Sequence, residues 1–104
     1  MKVIKFGGTS VANSNAIKSV FNIIKKNQDK TLIVVSALSG VTDNLSSMID
    51  LAVEGDNSYI KKLKYLKKRH VDLINESLDI KSQKKLIIFL HAKINEIKDL
   101  LTSI

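Results

Sequence analysis

The sequence predicts a mixed α/β fold: a strand-helix-strand unit at the start, followed by helices alone. Three observations carry this. Two short β-branched runs each end in a small-residue turn, apolar residues recur at helical spacing between them, and two long helical patterns fill the second half.

The first run, residues 3–6, is Val-Ile-Lys-Phe and stops at Gly7 and Gly8. Ile17, Val20, Phe21 and Ile24 then mark one face of a helix, with Asn13, Ser14 or Asn15 available as N-cap and Lys25 and Lys26 suited to the negative end of its dipole. The second run, residues 31–35, is apolar at four successive positions and ends in Ser36-Ala37-Leu38-Ser39-Gly40. Four apolar residues in a row suit a parallel strand covered on both faces. A right-handed crossover between the strands sets both turns side by side at one edge of the sheet.

Leu45, Ile49 and Ala52 predict a third element, a helix capped by Thr42 or Asp43 and stopped by Gly55 in the left-handed conformation. From Ser58, the residues Ile60, Leu63, Leu66, Val71, Ile74 and Leu78 continue a helical stripe. Leu86, Leu90, Ile94, Ile97, Leu101 and Ile104 form another from Ser82. A connection of a few residues at 79–81 predicts that these two helices pack antiparallel. The expected organisation is one domain, with residues 1–55 as a ligand-binding part and residues 56–104 as a helical hairpin. A two-strand parallel sheet with two open edges is too small to stand alone, so the chain is expected to be part of something larger.

Composition narrows the chemistry. With no cysteine and only His70 and His91, the chain has no thiolate, no disulfide and no closed metal site of its own, and no metal-ligating residue is assigned. No apolar run approaches the roughly 20 residues that span a bilayer, and the start lacks the apolar stretch of a signal peptide, so the expectation is a cytoplasmic protein without a membrane partner. The formal net charge of +7 rests on 16 lysines and one arginine beside heavy use of isoleucine and asparagine, a bias that makes charge weak evidence for nucleic acid.

Three of the four glycines, Gly7, Gly8 and Gly40, fall in the two strand-to-helix turns. Backbone without a Cβ lets N–H groups approach an anion, and open α/β sheets bind ligands beyond the carboxyl ends of their strands. Neither turn is a Walker loop or a dinucleotide fingerprint, so a phosphate site here is of another type. Lys5, two residues before the glycine pair, stands where its ammonium would meet an anion lodged there. The plainer alternative is that Lys5 lies along a strand edge and the glycines only make tight turns.

The run Lys5-Phe6-Gly7-Gly8-Thr9-Ser10-Val11-Ala12 resembles the N-terminal signature of aspartate kinases, in the amino-acid kinase family. Val34-Val35-Ser36-Ala37-Leu38-Ser39-Gly40-Val41-Thr42-Asp43 is similar to the second motif of that family. The helical half most resembles the aspartokinase part of bifunctional aspartokinase–homoserine dehydrogenases. The resemblance implies the start of the amino-acid kinase fold and, in an intact enzyme, transfer of the γ-phosphoryl group of ATP to the side-chain carboxylate of L-aspartate. The product is 4-phospho-L-aspartate, on the way to lysine, threonine and methionine. It implies ATP with Mg²⁺ bound through the phosphates, L-aspartate as the other substrate, and a homo-oligomer in the intact enzyme. Carried over by matching position, Lys5 is catalytic, and Lys5, Gly7, Gly8, Thr9, Ser10, Ser36 and Gly40 bind ATP phosphate. Thr42 and Asp43 bind substrate. Leu38 and Ser39 depart from some members, and Ser39 is given no role. The 104 residues alone are expected to be inactive.

Other features weigh less. The basic stretch Lys61, Lys62, Lys64, Lys67, Lys68 and Arg69 fills the gaps of an amphipathic helix and is read as a solvated face, with no nucleic-acid partner. His70 and His91 sit on different helices and are read as packing or surface residues. The competing readings are another amino-acid kinase family member, or a non-enzymatic helical binding module or kinase remnant.

Overall fold

A computed structural model describes every residue except Gln28. The chain divides into two compact units, Met1–Val41 and Thr42–Ile104.

In the first unit, β1 (Lys2–Phe6) pairs in parallel with β2 (Thr31–Val35), in the register Lys2↔Thr31 through Phe6↔Val35. The crossover between them holds a 3-10 turn, Gly8–Val11, and α1 (Ser14–Lys26). Of the three cap candidates, Asn13 is the one used: its extended backbone lets Oδ1 accept the Ala16 N–H at 2.9 Å. At the far end of the sheet, Asn27 Nδ2 donates to Thr31 Oγ1 at 2.8 Å, and that hydroxyl donates to the Asp29 carbonyl at 2.8 Å. These bonds fix the entry into β2.

The alternation of β1 sends Ile4 and Phe6 to one side of the sheet, where Phe6, Val11 and Val20 are buried and Ile4, Ile17, Ile24 and Leu38 pack around them. Phe21, expected on this face of α1, is exposed. The prediction that β2 is covered on both faces does not hold within this chain. Leu32 is 52% and Val35 62% exposed, and Ile33 and Val34 are also open. The first unit, with two strands and one crossover helix, has too few elements of its own to cover both faces of β2.

α2 (Val41–Val53), which lies in the second unit from Thr42 on, starts ahead of both expected caps, which places Thr42 and Asp43 inside its first turn. Its end follows prediction. Gly55 takes φ +75°, its N–H donates to the Ala52 carbonyl at 3.1 Å, and the Asp56 N–H reaches back to the Leu51 carbonyl at 2.9 Å. This pair of bonds is the Schellman closure, which satisfies carbonyls the helix would otherwise leave open. Met48, on α2, is fully buried.

α3 (Tyr59–Ser77) and α4 (Ile80–Thr102) are joined by Leu78 and Asp79 alone. α4 begins two residues before the expected Ser82 because Asp79 is its N-cap, with the side chain accepting the Ser82 N–H at 2.7 Å. Gln83 closes the corner by donating from Nε2 to the Leu78 and Asn75 carbonyls at 2.6 and 3.2 Å. The Lys67 ammonium donates to His91 Nδ1 at 2.8 Å, tying the helices midway. Leu63, Leu66, Ile74, Ile94 and Leu101 are buried as the stripes predict. Ile60, Leu86 and Ile104 are exposed instead, and Tyr59 is buried. His70 Nδ1–H donates to the Leu66 carbonyl one turn back at 2.8 Å, which gives it a structural task.

Candidate functional site

The parallel register brings the carboxyl ends of β1 and β2 to one edge, and the Ser36 N–H continues the ladder by donating to the Phe6 carbonyl at 3.1 Å. Both small-residue turns therefore leave the sheet together. Gly7 is extended (φ −78°, ψ −179°), and its carbonyl accepts the Ser10 N–H at 3.0 Å, which winds Gly8–Val11 into the 3-10 turn carrying Thr9 and Ser10. In the other turn, Gly40 takes φ +80°, a conformation that favours glycine, beside a bond from the Val41 N–H to the Leu38 carbonyl at 3.1 Å.

The approach of the two turns is close. A Cβ on Gly8 would stand 3.6 Å from Ser39 Cα, 3.8 Å from the Ala37 carbonyl oxygen and 3.9 Å from Ser36 Oγ. Gly7 is open: a Cβ there would meet nothing within 4 Å. Lys5 pairs with Val34 in the register, next to buried Phe6, so its side chain leaves from the face opposite the core. It is exposed and has no hydrogen-bond or ion-pair partner among the described residues.

Lys5, Gly7, Gly8, Thr9, Ser10, Ser36 and Gly40 thus gather along one sheet edge in one unit. Thr42 and Asp43 fall in the other unit, exposed in the first turn of α2.

One feature of the site escaped the reading of the sequence. Met1–Val41 holds six lysines and a single carboxylate, Asp29, and that carboxylate lies at the opposite edge, 4.0 Å from the Lys2 ammonium. Within the first unit, no acid among the described residues offsets the positive charge of the glycine edge. The signal was available as the absence of Asp and Glu from residues 1–28.

These features fit an anion with several oxygens: a cationic side chain, two turns that expose backbone, and hydroxyls on both. No group of three or more His, Cys, Asp or Glu side chains among the described residues could hold a metal ion. Among them, no helix is long and apolar enough to cross a membrane.

The model of the amino acid kinase family matches residues 1–102. The chain belongs to the amino acid kinase family. This amino acid kinase chain is 37% identical over 103 residues to bifunctional aspartokinase/homoserine dehydrogenase 2, chloroplastic, of Arabidopsis thaliana, a match covering 98% of the chain and 11% of that protein. It is 31% identical to the bifunctional aspartokinase/homoserine dehydrogenase of Buchnera aphidicola, across 100% of the chain and 13% of that protein. To the aspartokinase of Chlamydia muridarum it is 54% identical over 43 residues, which cover 41% of the chain and 10% of that protein. The chain spans about a tenth of the length of the curated relatives it matches.

Proposed function

We propose that this chain supplies the phosphate-handling edge of an aspartate kinase, which moves the γ-phosphoryl group of ATP to the side-chain carboxylate of L-aspartate and yields 4-phospho-L-aspartate. The observation that carries the reading is the close approach of the two glycine turns beside Lys5, which has no partner among the described residues. The family match and the aspartokinase relatives support it.

The chemistry asks for little beyond this. A side-chain carboxylate with an ordinary pKa of about 3.9 is ionised at neutral pH, so no general base is needed, and the obstacle is repulsion between two anions. Positioning and charge neutralisation supply most of the catalysis of phosphoryl transfer. Lys5 neutralises charge on the transferring group. Gly7, Gly8 and Gly40 allow backbone N–H groups to close on phosphate, and the hydroxyls of Thr9, Ser10 and Ser36 donate to its oxygens. Thr42 and Asp43 serve the aspartate side. Mg²⁺ carried on the phosphates would supply further neutralisation. On the same reading α3 and α4 form an antiparallel hairpin, supported by the Lys67–His91 and Asn75–Gln83 contacts.

The test uses the full-length enzyme. Lys5→Met is expected to lower kcat by about 100-fold or more with an unchanged melting temperature, since it removes a charge used in the transition state. Thr42→Val is expected to raise the KM for aspartate more than that for ATP. Wild-type turnover in Lys5→Met, or equal effects of Thr42→Val on both substrates, would contradict the assignment.

A further inference from the structure

The packed face of α3 and α4 leaves a groove of about 180 Å³ whose floor is Ile60, Leu63 and Ile94 and whose rim is Lys64, Lys67 and Lys98. Leu63 and Ile94 are buried at 4% and 8% exposure, so the floor is built by the helix packing itself. No carboxylate among the described residues lines it. The nearby acids are engaged or placed elsewhere: Asp72 pairs with Lys68 at 2.7 Å, Glu96 with Lys93 at 3.3 Å, and Glu96 and Asp99 lie with Leu100 on another surface of α4. Lys64 and Lys98 have no ion-pair partner among the described residues. Lys67 is held on the rim by its bond to His91.

We propose that this groove binds a small amphiphilic anion, a monocarboxylate with a short apolar body, with the body on the isoleucine and leucine floor and the carboxylate among the three ammonium groups. An apolar floor gains from covering a hydrocarbon, whereas three ammonium groups repel a cation and favour an anion. The volume is below the roughly 300–1,000 Å³ of sites for drug-sized ligands, which suits a single short hydrocarbon chain rather than a larger body. The site is independent of the glycine edge and stands or falls separately from the kinase reading.

The test is titration of the full-length protein, ¹⁵N-labelled in this segment, with octanoate, followed by amide shifts, with octylamine and acetate as controls. Saturable shifts are expected at Leu63, Lys64, Lys67, Ile94 and Lys98, with acetate much weaker and octylamine silent. Combining Lys64→Gln with Lys98→Gln is expected to weaken octanoate about tenfold, since charge-assisted contacts carry roughly that factor. Lys61→Gln, outside the groove, leaves binding unchanged and keeps the comparison sound if the double variant alters the fold. Equal binding of octylamine means apolar adsorption and overturns the proposal, as does equal binding of acetate. Unchanged affinity in the double variant, or binding to anionic vesicles alone with no shifts in these residues, overturns it too.

Discussion

Replacing Gly40 and Gly7 by alanine separates what the turns do for the fold from what they do for a ligand. Gly40 has φ +80°, where an L side chain places its Cβ against the following carbonyl at a cost of about 1–2 kcal/mol. No neighbour lies within 4 Å of a Cβ there, so the backbone conformation is the whole penalty. Gly7, at φ −78° and ψ −179°, is in a region any residue occupies, and its Cβ position is equally open. There alanine lowers the entropy of the unfolded chain and is expected to stabilise by about 0.4–1 kcal/mol. For a domain of this size 1 kcal/mol shifts the melting temperature by roughly 4–8 °C. Gly40→Ala should therefore melt several degrees below wild type, and Gly7→Ala at or slightly above it, read by circular dichroism and by amide signals of the first unit. A drop in Gly7→Ala as large as that in Gly40→Ala would refute the conformational argument. If Gly7→Ala keeps its stability yet loses affinity for Mg-ATP, the loss belongs to the anion site and not to folding.

Two further outcomes follow from the second unit. Met48→Ala should cost about 2–5 kcal/mol in urea denaturation, since Met48 is fully enclosed and its removal leaves a cavity; a cost below about 1 kcal/mol would mean that Met48 is not packed as described. The backbone N–H of Ser82 bonded to Asp79, with a contribution from the Ser82 side chain, holds the Asp79 carboxyl below its ordinary value. A pKa lower in the folded than in the unfolded chain gives stabilisation that is present above the unfolded value near 3.9 and is lost as pH falls through the folded one. The first turn of α4 should thus open in acid, with faster exchange at the Ser82 amide. Asp79→Asn should keep the cap and remove this pH dependence. An Ser82 amide indifferent to acid in the wild type would contradict it.

The sequence by itself determined much of the local structure, including the two turns of the glycine edge. A cap on α1 among Asn13, Ser14 and Asn15, of which the structure uses Asn13, and Gly55 closing α2 follow from the conformations and hydrogen bonds those residue types favour, and each acts within a few residues of itself. The same locality made Lys5, Gly7, Gly8 and Gly40 stand out as a candidate anion site, and the motifs they sit in were long enough to point to the family. Asp79 as the cap of α4 was equally local, but Ser82 in the same stretch offered a competing start.

Tertiary structure decided what lies opposite each element. Helical spacing names a stripe, yet Ile60, Leu86 and Ile104 on the stripes stay exposed while Tyr59 is buried, because burial depends on the neighbour the stripe meets. The apolar run of β2 promised cover on both faces, and whether a strand is covered rests on elements its own residues do not specify. The approach of Gly8 to Ser36, Ala37 and Ser39 and the bond from Lys67 to His91 each join residues more than 20 positions apart. Periodicity and turn chemistry act over a few residues, and contacts at such separation exist only once the sheet register and the α3–α4 packing have formed.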